Sequence, residues 1–151
     1  MGQTIIAVLG TLAAVVITSA FQSRAARTAR DAARSEDHRR EAIAAVTALA
    51  ASISAHRVAM VKVGEARLTG ADAARVQDLR DAAHATRTAI TEPAARVQLI
   101  APAAVRDAAH TAIHATFAMR HPANAESLND AREHALRTHD ALIDAASQTL
   151  A

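Results

Sequence analysis

The 151-residue chain has no cysteine, no tryptophan and no tyrosine, and Phe21 and Phe117 are its only aromatics. Without thiols there can be no disulfide, no thiolate zinc site and no cysteine nucleophile. With so few rings, no base-stacking platform stands beside the basic residues. Contact with nucleic acid would rest on phosphates alone and be strongly salt-dependent, so nucleic acid is not an expected partner. Glycine and proline are also scarce, at four and three, and nothing between Gly10 and Gly64 breaks a helix. Catalytic signatures are missing too: there is no Gly-rich phosphate loop, no G-x-S-x-G and no carboxylate pair with an evident cleft. The expectation is a protein that is not an enzyme and that needs no cofactor.

What the chain does have is alanine, more than a quarter of its residues, within a composition that is 51% hydrophobic. Alanine has the highest helix propensity, and few β-branched residues alternate with period two, so the expected fold is all-α. Only Lys62 is a lysine among the 17 basic residues, which reads as a coding bias toward arginine; the net charge of +2 is nearly balanced.

The run from Thr4 to Phe21 carries no charge. As a helix it would span about 27 Å, enough for the hydrocarbon core of a bilayer. Thr4, Ile5, Ile6, Val8, Leu9, Leu12, Val15, Val16, Ile17 and Phe21 are its candidate membrane-facing residues. Arg24, Arg27, Arg30 and Arg34 follow at steps of three, three and four, on one helical face. By the positive-inside rule this flank belongs in the cytoplasm, with the N-terminus outside the cytoplasmic membrane. The same arginines are candidate contacts for anionic lipid, although topology determination alone would also explain them. A cleaved signal peptide wants positive charge before its apolar run, whereas here the charge lies after it. Cleavage near Thr18-Ser19-Ala20 and a buried core helix remain competing readings. Gly10, Ala14 and Thr18 recur every fourth residue, a small-residue face through which two such helices could pack into a homo-oligomer.

The expected organisation is a transmembrane anchor over 1–21, a basic juxtamembrane helix over 22–40 and a cytoplasmic helical bundle over 41–151. A hinge capped by Ser35 is one alternative to a continuous rod. Ile43, Val46, Leu49, Ile53, Met60 and Val63 form one apolar stripe that ends at Thr69-Gly70-Ala71-Asp72, where Gly70 suits a left-handed cap and Asp72 a helix start. The next helix carries Val76, Leu79, Ala83, Thr86 and Ile90; Pro93 and Pro102 each open a further helix. Val105, Ala109, Ile113 and Phe117 line the third main helix, which His121-Pro122 stops. Asn124 caps the last, with Leu128, Ala131, Ala135, Leu142, Ala146 and Leu150 inward. Short connections imply antiparallel neighbours, hence about four helices in an up-and-down bundle beyond the anchor.

Two constellations stand out. Asp107, His110 and His114 fall within about 60° on one helical face and are weak metal candidates, which Asp130 and His134 could complete only if they faced Asp107. The zincin pattern H-E-x-x-H is absent, and a hydrated surface face is the favoured reading. His56 and Arg57 interrupt the apolar stripe. Counting back from Gly70, an antiparallel partner places them opposite Ala83 to Thr86, where small residues leave room. The expected outcome is that Arg57 reaches out to water and His56 makes one hydrogen bond.

Three segments, IIAVLGTLAAVVITSAFQSRAARTAR (5–30), HRVAMVKVGEARLTG (56–70) and HATRTAITEPAARVQLIAP (84–102), carry a resemblance to the KilB-like family of small actinobacterial proteins found on Streptomyces conjugative plasmids. The resemblance implies a role in plasmid transfer and spread through the mycelium, and lethality when the protein is unregulated; it implies no catalytic residues. The resulting expectation is a non-enzymatic, single-pass membrane accessory of transfer or spread, with lipid and unidentified proteins as partners. Rival expectations are a metal-binding sensor or enzyme using His110 and His114, and a soluble helical interaction domain.

Overall fold

A computed structural model describes the backbone of residues 2–150 and the side chains of residues 27–150. The elements are α1 (Gly2–Leu68), α2 (Ala73–Thr88), α3 (Thr91–Ile100), α4 (Ala103–Phe117), a 3-10 turn (Ala118–Arg120) and α5 (Ala125–Leu150). No strand occurs among the described residues, so the fold is all-α: a long apolar N-terminal helix followed by a helical bundle. Ser35 lies inside α1 and caps no new helix. Contacts divide the chain into two compact units, Met1–His38 and Arg39–Ala151.

In the second unit the turns follow from local chemistry. Gly70 adopts φ +70°, a conformation costly for residues with a Cβ. The Ala71 N–H donates to the Ala66 carbonyl at 2.9 Å and that of Gly70 to Arg67 at 3.3 Å, which is a Schellman closure of α1. Two residues on, the Asp72 carboxylate accepts the Arg75 N–H at 2.8 Å and starts α2. Asn124 does the same for α5, accepting the Ser127 N–H at 2.8 Å. Pro102 is the cap residue of α4, just ahead of its first turn.

The core forms two clusters along the bundle. Toward Arg39, the α1 residues Ala42, Ala45, Val46, Leu49 and Ile53 pack with Val97 of α3, Val105 and Ala109 of α4, and Leu142 and Leu150 of α5. Toward Gly70, Met60 and Val63 of α1 pack with Ala83 of α2, Ala115 of α4, Met119 of the 3-10 turn, and Leu128 and Ala135 of α5. This ordering makes the second unit an antiparallel four-position bundle in which α2 and α3 share the second position, one after the other. At the far end from Gly70, the Arg39 guanidinium donates to the Leu150 carbonyl at 2.9 Å, placing a cation at the C-terminus of α5, where the helix dipole favours it.

One expected core position moves. Ile43 is 42% exposed, while Ala42 and Ala45 are each 1% exposed. The buried face of α1 is centred on its alanines here, where small side chains let the neighbouring helices come close, and Ile43 is rotated about 100° away from Ala42.

Candidate functional site

The Gly70 half of the bundle contains a buried polar layer. His56, on α1, is 3% exposed, and its Nδ1 lies 3.0 Å from Thr86 Oγ1 on α2. The Thr86 hydroxyl donates its only hydrogen to the Ala83 carbonyl at 2.9 Å. The ring must therefore donate from Nδ1, which assigns the neutral tautomer from the network and leaves Nε2 as acceptor. The register anticipated from the Gly70 turn, His56 opposite Ala83 to Thr86, is the one observed.

The imidazole meets the Phe117 ring edge-on, with centroids 5.5 Å apart and planes at 82°. Above the same ring sits the Arg87 guanidinium, its Cζ 4.3 Å from the centroid, a cation–π contact that fixes the arginine from α2 against α4. Burial holds His56 below its ordinary value of 6.5, and the charges of Arg87, Arg120 and His84 push the same way, against an opposing backbone hydrogen bond at Ala83. Arg57 departs from expectation: its Nη2 donates to Ser54 Oγ at 3.2 Å, but Nη1 is buried without a hydrogen-bond partner and does not reach water.

Beside His56 opens a cavity of about 230 Å³ with Met60, Val63 and Ala83 as its apolar lining. The charged lining is Arg67, Arg80, Arg87 and Arg120, joined by His84 and His121, and includes no aspartate or glutamate. Arg67 Nη1 donates to the Arg120 carbonyl at 2.9 Å and lies 3.4 Å from His121 Nδ1, tying α1 to the 3-10 turn. The sequence reading singled out none of these arginines. One available signal was Arg80 and Arg87, seven residues apart on the helical face that also carries Ala83.

The other candidates are dispersed. Asp107, His110 and His114 are exposed on α4, and the two imidazoles lie against each other with centroids 4.2 Å apart and planes tilted by 40°. Asp130 and His134 are exposed on α5. No group of three or more histidines, cysteines or carboxylates among the described residues is placed to hold a metal ion. Arg27, Arg30 and Arg34 are exposed on α1, and Arg34 donates to Asp31 at 3.1 Å in a mostly solvated pair of small energetic weight. Arg24, the span Thr4–Phe21 and the Gly10, Ala14, Thr18 face lie outside the residues whose side chains are described. Within Arg27–Leu68 the helix is long and apolar enough to cross a membrane by length and composition. Yet 39% of its apolar window is buried, and Ala42 to Val63 serve as bundle core.

A family model described as KilB plasmid transfer protein matches residues 43–150, which is the bundle. The protein KilB of Streptomyces lividans is 40% identical over 149 residues, covering 98% of this chain and 97% of that protein. The chain belongs to the KilB family. No solved structure matches it. The KilB likeness covers the helical bundle and nearly all of the charge-free N-terminal run as well.

Proposed function

We propose that this KilB-family chain is a non-enzymatic accessory of conjugative plasmid transfer or spread, acting through protein partners at the cytoplasmic membrane. The observation that carries the reading is the 40% identity to KilB over 98% of the chain, which takes in the N-terminal run together with the bundle. In this reading Thr4 to Phe21 cross the bilayer with the N-terminus outside, because a charge-free helix satisfies its own backbone hydrogen bonds there. Arg24, Arg27, Arg30 and Arg34 hold the inner flank against anionic headgroups, each contributing on the order of 1 kcal/mol. The bundle then sits in the cytoplasm as the part that meets other proteins.

Self-association through Gly10, Ala14 and Thr18 would account for the lethality expected of the family when unregulated. Replacing Gly10 and Ala14 by leucine should abolish that toxicity at equal expression; undiminished toxicity would remove the packing face from the account. The role itself is tested by deleting the coding sequence from its plasmid and measuring transfer to, and spread among, recipient cells. Spread should fall, the full chain should restore it, and a chain lacking residues 1–21 should not. Normal spread without the protein would overturn the proposal.

A further inference from the structure

We propose that the cavity between α1, α2 and the 3-10 turn is a binding site for a small phosphate-bearing anion, held by Arg80, Arg87 and Arg120. Some bundle arginines are ion-paired, Arg96 with Glu92 at 3.5 Å and Arg137 with Glu133 at 3.8 Å. At the cavity, four guanidinium groups converge from α1, α2 and the 3-10 turn, and none is ion-paired with a carboxylate among the described residues. Gathering like charges around a concave, partly apolar surface raises the local potential, which an anion relieves.

Part of the arrangement is held before any ligand arrives. Arg67 bonds the Arg120 carbonyl, and Arg87 rests on Phe117. Arg67 and Arg87 are thus fixed by contacts that do not use up their charge, while the exposed Arg80 and Arg120 side chains close on the anion from the rim and are ordered on binding. Convergent guanidinium forks match the several acceptor oxygens of a phosphate better than a single carboxylate does. The cavity of about 230 Å³ is smaller than the roughly 300–1,000 Å³ of drug-sized sites, so it suits a phosphate or diphosphate group with a short carbon portion against Met60 and Val63.

The test uses the full chain in detergent and inorganic pyrophosphate as probe, followed by calorimetry and thermal melting at physiological salt. Saturable binding with one site per chain and a raised melting temperature are expected. Arg80→Gln and Arg120→Gln should each weaken binding at least tenfold. Both side chains belong to exposed residues, so these variants should fold, and melting without ligand checks that they do. Arg96→Gln, whose residue lies outside the cavity lining, should bind as the parent does. Competition by dihexanoyl phosphatidic acid would trace the phosphate to a lipid headgroup; its failure to compete would assign the site to a soluble phosphate compound. No saturable binding by folded protein, or equal weakening in Arg96→Gln, would overturn the site.

Discussion

The two halves of the bundle do different things with the same alanine-rich material. Toward Arg39 the interior is closed and apolar, with Leu49, Ile53, Val97, Val105 and Leu142 all at 0% exposure. Toward Gly70 the interior admits His56, half-buries Arg57 and opens into a cavity ringed by arginine. A chain with two aromatics gets its tight packing from aliphatic residues set among alanines, each buried Val, Leu or Ile contributing about 1.5–3 kcal/mol. Where histidine and arginine replace aliphatics in that seam, the same bundle trades stability for a polar surface that can receive something. The first half is the foundation, and the second is where recognition chemistry is available.

Substitutions can break or sharpen that contrast. The largest effect is expected in the closed half: Leu49→Ala should cost about 3 kcal/mol in chemical denaturation, because the surrounding helices cannot collapse into the space. A loss below about 1 kcal/mol would mean that this half is not the tighter one. Gly64→Val follows, in the other half. A Cβ at Gly64 would stand 2.8 Å from Leu128 Cδ1 and 3.4 Å from Pro122 Cγ. Overpacking there should cost about 2 kcal/mol, and unchanged stability would show that the Gly70 half is loose enough to absorb it. Asp72→Ala removes the cap on α2 and should cost about 1 kcal/mol, with Asp72→Asn retaining most of it.

The subtlest expected effect is one of pH. His56 is neutral in the folded state below the pH at which it would protonate in the unfolded chain, so the unfolded state binds the extra proton first. Its contribution to stability is therefore full above about 6.5 and declines as pH falls toward the lowered folded value. Denaturation curves across that range should show a smaller loss for His56→Asn than for the parent; equal losses would place the dependence on other groups.

Much of this was legible in the sequence wherever the cause is local. Gly70, Asp72 and Asn124 announce their roles because a left-handed cap and an N-cap need particular residue types at particular positions. The His56–Thr86 register was legible too, since a tight turn at Gly70 fixes which residues of two antiparallel helices meet. Ile43 misled because in a helix so rich in alanine the apolar stripe has little contrast, and Ala42 and Ala45 compete for the same face. The arginine-lined cavity was not legible: Arg67, Arg80, Arg87 and Arg120 come from three elements, and only the packing of those elements brings them together. Asp107, His110 and His114 show the reverse case, a spacing that looks like a ligand set yet lies on an exposed face.

The central claim, that Thr4 to Phe21 tether this KilB-family bundle to the membrane, meets its most direct test in carbonate extraction of membranes from cells making the full chain. The account predicts that the full chain stays in the membrane pellet while a chain lacking residues 1–21 appears in the soluble fraction. Release of the full chain into the carbonate supernatant as a soluble protein would contradict it.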